Sequence, residues 1–310
     1  HLLGFFWIAL GCHGELAQSK PAPGHLTEFY FWLALGGALG GLCNTLLAPL
    51  FFSSYAEYPL MIAVAAALRP ASTAPAFARG DWLAPACLAG ATAALILLAS
   101  RLYLHPTINM LFMYLVPLAA CYLMQSRPLR HGLAVAAVLL TSQLDPGVHG
   151  RASVRIRSFY GVHRVTEQDG MRRLVHGNTV HGQQSLFAPQ RREALAYYHV
   201  TGPIGRLFTV LEKDPRLQRV GLVGLGAGSL ATYAQPGQRW TFFEIDPSVV
   251  HLARDSGLFT FLKDSRGDLD CVVGDARLTL GQTSEKFDVL VIDAFGSDAI
   301  PWHLLTREAM

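Results

Sequence analysis

Four short groups of acidic or glycine residues in the second half of the chain could hold and act on a single ligand. They are Gly224-Leu225-Gly226-Ala227-Gly228, Glu244-Ile245-Asp246, Gly274-Asp275-Ala276 and Asp293-Ala294-Phe295. Each follows an apolar run rich in β-branched or aromatic residues, at 220–223, 240–243, 271–273 and 287–292, so each is expected at the carboxyl end of a strand. Gly224, Gly226 and Gly228 permit a tight turn and close backbone approach to a ligand. Glu244 can accept hydrogen bonds from two ribose hydroxyls, and Asp275 can accept one from an exocyclic amine such as that of adenine. Asp293 would sit beside the reactive end of the ligand. The chemistry is that of a nucleoside-binding site. Any one of these residues also has a structural use: Asp246 precedes Pro247 and reads as a helix N-cap, and Asp275 can cap a helix too.

Ligands of open α/β sheets bind outside the carboxyl ends of the strands, and the sequence supplies such a sheet. Strands are predicted at 220–224, 239–244, 270–274 and 287–293, with helices at 229–234 and 247–256. This alternation implies a parallel, Rossmann-like sheet of the S-adenosylmethionine-dependent methyltransferase type over 218–310. A small β region with a helix precedes it at 150–212. Strands are predicted there at 155–167 and 171–181, joined by a hairpin turn at Gln168-Asp169-Gly170. Helices are predicted at 191–198 and 204–211.

The first half has a different composition. Hydrophobic residues make up 51% of the 310-residue chain and charged residues 15%, below the roughly 25% usual for soluble domains. Before Gly150 the only charged residues are Lys20, Arg69, Arg79, Arg101, Arg127, Arg130, Glu15, Glu28, Glu57, Asp81 and Asp145. Uncharged stretches at 29–56, 82–100 and 102–126 are long enough to cross a bilayer. Shorter apolar stretches at 2–12, 58–68 and 131–144 could be cut, tilted or re-entrant spans. A transmembrane α-helical bundle over 1–145 is therefore expected, with the lipid bilayer as its partner. Gly36, Gly37, Gly40 and Gly41 are expected to let helices approach closely, with Asn44 and Thr45 bonding across them. Arginines around the last apolar stretch favour a cytoplasmic second half.

A net charge of +3 without a basic domain argues against nucleic acid. The five cysteines form no CxxC pair, so neither a metal site nor a disulfide framework is expected, and the thiols are read as buried. The chain starts at His1 and ends at Met310 within an expected helix. It reads as a fragment at both ends, with further strands expected downstream.

Together, Gly-Leu-Gly-Ala-Gly, Glu-Ile-Asp-Pro, Gly-Asp-Ala-Arg and Asp-Ala-Phe-Gly-Ser-Asp-Ala-Ile-Pro resemble the spermidine synthase (aminopropyltransferase) family. They are most similar to its membrane-fused branch, in which transporter-like helices precede a synthase-like domain. The stretches Cys12-His13-Gly14-Glu15-Leu16, Leu26-Thr27-Glu28-Phe29-Tyr30 and His303-Leu304-Leu305-Thr306-Arg307-Glu308-Ala309 also look typical of that branch. The resemblance implies S-adenosylmethionine, usually decarboxylated, as co-substrate, an amine acceptor, and release of methylthioadenosine. It places the donor on Gly224, Gly226 and Gly228, its ribose on Glu244 and its adenine on Asp275, with Asp293 as the catalytic carboxylate. Gln184 and Tyr198, or their neighbours Gln183 and Tyr197, match positions lining the pocket, and Asp298 stands for a second acid of the catalytic loop. The chain departs from the family at two places. Ala227 replaces an acid that holds the donor's amino group, and Asp298 follows Asp293 by five residues instead of three. A methyltransferase, and a transporter or sensor with a non-catalytic nucleoside-binding domain, remain alternatives. A multi-pass location, in a bacterial inner membrane, and a homo-oligomer are compatible with this reading.

Overall fold

The computed structural model describes residues 2–69, 78–99, 101, 111–145, 147, 149–296 and 300–307. The chain divides into two compact units, His1–Pro146 and Gly147–Met310.

The first unit is helical. Among the described residues two helical stretches are long and apolar enough to cross a membrane, Pro23–Phe51 with 29 residues and Gly80–Ala99 with 20. At 1.5 Å per residue the shorter one spans about 30 Å. The expected bundle of spans is not shown. The helix Glu57–Ala67 has 11 residues and Pro128–Thr141 has 14, too few to cross a bilayer unaided. The stretch predicted at 102–126 lies partly outside the described residues. The glycines at 36, 37, 40 and 41 have nothing within 4 Å of where a Cβ would sit, so the close helix approach expected there is absent among the described residues. It occurs instead at Gly132, where a Cβ would lie 2.5 Å from the Ala67 Cβ and 2.8 Å from the Ala63 carbonyl oxygen. Thr45 does not bond across helices: its hydroxyl donates to Gly41 O, one turn back in its own helix, at 2.5 Å. Nor are the thiols uniformly buried: Cys121 is, but Cys12, Cys43 and Cys87 are exposed.

In the second unit an antiparallel four-stranded sheet comes first, in the order β1 (Ala152–Ser158), β2 (Gly161–Gln168), β3 (Met171–His176) and β4 (Thr179–Ser185). The Asp169-Gly170 hairpin is present, with φ of +54° and +70°, as a two-residue turn with both φ positive requires. Each of the two long predicted strands is split in two by a further turn, at Phe159-Tyr160 and at Gly177-Asn178. The predicted helix at 191–198 is absent apart from a 3₁₀ turn at Ala196–Tyr198. Long-range bonds take its place, since the Gln184 amide donates to Arg191 O and the Tyr197 hydroxyl to Val180 O. The helix Pro203–Leu211 follows, with Pro203 in its first turn.

The second sheet is parallel, in the order β7 (Asp268–Val273), β6 (Arg239–Glu244), β5 (Arg219–Val223) and β8 (Val289–Ile292). β5 and β6 are covered on both faces, so their apolar runs are nearly continuous. On one face Val220, Leu222, Trp240 and Phe242 are at most 1% exposed, and on the other Val223 and Phe243 are 2% exposed. Crossovers run through a 3₁₀ turn at Ser229–Tyr233, the short helix Pro247–Val250 and the helix Ala276–Gln282. With two strands to one side of β5 and β8 on the other, chain direction around the sheet reverses between β5 and β8. A crevice opens at that point in sheets of this kind.

Candidate active site

A cavity of about 870 Å³ occupies that position, and all four strand ends contribute to its lining. From β5 comes the glycine loop. Gly224 (φ +98°) and Gly226 (φ +54°) both take left-handed backbone that a Cβ would strain. A Cβ at Gly224 would lie 2.6 Å from Asp293 O, and one at Gly226 would strike the His181 carbonyl oxygen. Gly228 does not line the cavity. It starts the 3₁₀ turn with φ +82°, and a Cβ there would press on Leu262 at 2.6 Å.

From β6 comes Glu244, 8% exposed. Its Oε2 accepts from Leu225 N and its Oε1 from Asp246 N, both at 3.0 Å. The carboxylate thus braces the glycine loop and retains lone pairs toward the cavity. Burial raises its pKa, and the backbone N–H groups oppose that shift. Asp275, beyond β7, caps the helix Ala276–Gln282 by accepting from Arg277 N at 2.9 Å, and it also lines the cavity. A capping role and a place in the cavity lining coexist at this residue.

Asp293 follows β8. Its Oδ2 accepts a 2.6 Å hydrogen bond from the Tyr198 hydroxyl. Burial raises the Asp293 pKa, and the Tyr198 bond opposes the rise. Burial, with the Asp293 charge beside it, also raises the pKa of Tyr198, so the phenol stays a donor. Tyr197 lines the cavity as well. Gln184 does not. It is 2% exposed, and its amide bonds Arg191 O and the hydroxyl and backbone N–H of Thr260, which makes it a brace between β4 and the loop that leads into β7. Asp298 lies outside the described residues.

Asp246, and three histidines that the sequence did not mark, complete the wall. Asp246 caps the helix Pro247–Val250 through Ser248 N at 2.8 Å, as expected. Its Oδ2 also accepts from Ser158 at 2.5 Å and pairs with His163 Nε2 at 2.8 Å. Burial pushes its pKa up, but the bonds from His163, Ser158 and Ser248 outweigh this and hold it at about 2, against an ordinary 3.8. A depressed folded-state pKa adds stability that is complete above the unfolded value and is lost as pH falls through the folded one. Here that is about 2 kcal/mol, lost between roughly pH 4 and pH 2. Thermal melts should therefore show Asp246→Asn less stable than wild type at neutral pH. The gap should shrink as pH approaches about 2, and a constant gap would count against the hydrogen-bonded Asp246 carboxylate as its source. The ring centroid of His163 is 4.9 Å from that of His176, its partner on β3, and that of His176 is 5.7 Å from that of His181 on β4. All three histidines line the cavity.

No family model matches the chain. It is 33% identical over 101 residues to a polyamine aminopropyltransferase from Vibrio vulnificus (strain CMCP6), a match covering 31% of this chain and 32% of that protein. The chain therefore matches about a third of the length of its curated relative. Among solved structures, a probable spermidine synthase from Corynebacterium glutamicum ATCC 13032 superposes with a TM-score of 0.42 at 20% identity, over 50% of this chain and 57% of that one. Spermidine synthase from Thermotoga maritima superposes with a TM-score of 0.37 at 16% identity, over 51% and 50%. Part of the chain is thus similar in sequence to a polyamine aminopropyltransferase, and the unit formed by residues 147–310 carries a parallel, Rossmann-like sheet whose strand ends converge on one cavity.

Proposed function

We propose that the second unit is a transferase domain of the aminopropyltransferase type. It would move an alkyl chain from an adenosyl sulfonium donor, S-adenosylmethionine or its decarboxylated form, to an amine, and the apolar first half would anchor it in a membrane. The observation that carries this reading is the convergence of Gly224, Gly226, Glu244, Asp275 and the Asp293–Tyr198 pair on one cavity. The similarity to a polyamine aminopropyltransferase supports it.

Glu244 would hold the ribose and Asp275 the adenine, leaving the sulfonium near Asp293. The amine lone pair forms a bond to the carbon beside sulfur, and the carbon–sulfur bond breaks with its electron pair going to sulfur. Methylthioadenosine leaves, and the proton lost by the nitrogen passes to Asp293. A carboxylate whose pKa is raised by burial suits that task, since general-base efficiency improves as the pKa nears the working pH. Tyr198 would fix the orientation of Asp293, keeping the attacking nitrogen aligned.

The test is to incubate the full chain with S-adenosylmethionine or its decarboxylated form and a panel of amines, and to analyse the products by mass spectrometry. Methylthioadenosine together with an alkylated amine is the expected result. Release of S-adenosylhomocysteine would assign a methyltransferase instead, and donor binding without any product would assign a sensor.

A further inference from the structure

The first unit carries a charge cluster that the transferase chemistry does not use. Asp81 lies in the first turn of the helix Gly80–Ala99 and is 4% exposed. Its Oδ1 accepts from Arg130 Nε at 3.0 Å and Nη2 at 2.8 Å. Its Oδ2 accepts from Arg127 Nη1 at 3.0 Å and from Ala78 N at 2.8 Å. These donors saturate the carboxylate. Arg127 precedes the helix Pro128–Thr141, and Arg130 stands in its first turn.

One carboxylate thus faces two guanidiniums, and the cluster retains a positive charge. Among the described residues Arg127 keeps Nε and Nη2 unbonded, and Arg130 keeps Nη1. Both side chains are 25% exposed, so these donors are within reach of a ligand. Two like charges held together at the ends of apolar helices repel each other, and a further anion would complete the set.

The surroundings say what kind of anion fits. Trp82, next to Asp81, and Tyr122 are both exposed. Tyr122 belongs to the end of the helix Val116–Leu123, which is tied to the arginines because Arg127 N donates to Met124 O and His131 Nδ1 lies 3.0 Å from Cys121 O. Exposed aromatic residues with a polar tip suit the headgroup level of a bilayer. Further along the same helices Leu98 and Leu118 are exposed, as contact with acyl chains would allow.

We propose that the Asp81–Arg127–Arg130 cluster binds the phosphate of an anionic phospholipid. This rests on the reading of the first half as a membrane anchor. The planar forks of the two arginines match phosphate oxygens. Asp81 already holds both guanidiniums in place, so little side-chain freedom is lost on binding. A lipid with a net negative charge balances the cluster, whereas a zwitterionic one does not.

Native mass spectrometry of the full chain released from nanodiscs of mixed phosphatidylcholine and phosphatidylglycerol tests this. Phosphatidylglycerol should stay with the protein in excess of its share of the disc. Arg127→Gln should lower that excess about fivefold, the effect of one basic residue at an anionic surface. Arg127→Lys, which keeps the charge, should retain most of it. Asp81→Asn raises the net charge of the cluster, so it should keep or increase the excess. Loss of the excess in Asp81→Asn, or an excess that Arg127→Gln leaves unchanged, overturns the proposal and makes the cluster a fastening between two helices. An excess that inorganic phosphate abolishes as fully as Arg127→Gln does also overturns it, in favour of a soluble anion. A chain that enters the discs without any excess sinks the proposal alone. A chain that stays outside discs of either lipid overturns the membrane reading, and the proposal falls with it.

Discussion

Asp293→Asn should lower kcat by about three orders of magnitude while changing donor affinity less than about threefold, as expected for a group that acts on the proton in flight. The substitution keeps the size of the side chain and its ability to accept from Tyr198 at the oxygen, so the cavity should persist. It removes the only function that requires a carboxylate there, taking a proton from the attacking nitrogen. Stopped-assay kcat and calorimetric donor binding separate the two effects. Equal loss of both would mean that Asp293 holds the donor and is not the base. The pH profile gives a second handle. Burial raises the Asp293 pKa, and only the ionised form accepts a proton. The rate should therefore rise with pH through a value above that of an ordinary aspartate. Tyr198→Phe removes a 2.6 Å bond that favours the ionised form, so this acid limb should move to higher pH. A limb that stays in place or moves to lower pH would detach Tyr198 from the base.

What the sequence reveals here depends on how local each determinant is. The parallel strands are legible because burial on both faces writes a nearly unbroken apolar run, as at Leu222-Val223 and Phe242-Phe243. The residue just after each run then falls at a strand end, which is why Gly224, Glu244, Asp275 and Asp293 can be picked out. Elements set by distant partners are not legible. The segment 191–198 has helical composition, yet Tyr197 is held by Val180 O and Gln184 reaches Arg191 O from β4. These bonds override a weak local preference. The histidines are hidden for a related reason. Which face a strand residue occupies follows from register, and one bulge shifts every later residue to the other face. The bulge at His181 arises from pairing with β3, and no residue type signals it. In the first half, mean hydropathy flags apolar helices well. It cannot say that the close helix contact falls at Gly132 and not within 36–41, because a contact needs a partner surface as well as a small residue.

The glycine loop supplies the second large effect. Gly226→Ala meets two obstacles. Its φ of +54° places any Cβ in the left-handed region, which costs about 1–2 kcal/mol. Its Cβ would also strike the backbone oxygen of His181, and that oxygen cannot swing aside because Ala227 N donates to it and β4 pairs with β3. The loop must therefore move away from β4, which pulls Leu225 N out of line with the Glu244 Oε2 that accepts from it. Donor affinity should fall by about thirtyfold or more. Gly237→Ala is the matched control. Its φ is +85°, but nothing lies within 4 Å of a Cβ there. It should cost about 1 kcal/mol of stability in a thermal melt and leave donor binding untouched. If both variants lose stability alike and both keep wild-type affinity, the loop is not the donor's seat. Loss of binding in Gly226→Ala alone assigns the effect to the loop as the donor's seat, because the left-handed strain is common to both variants, while the collision with His181 and the place in the cavity lining belong to Gly226 alone.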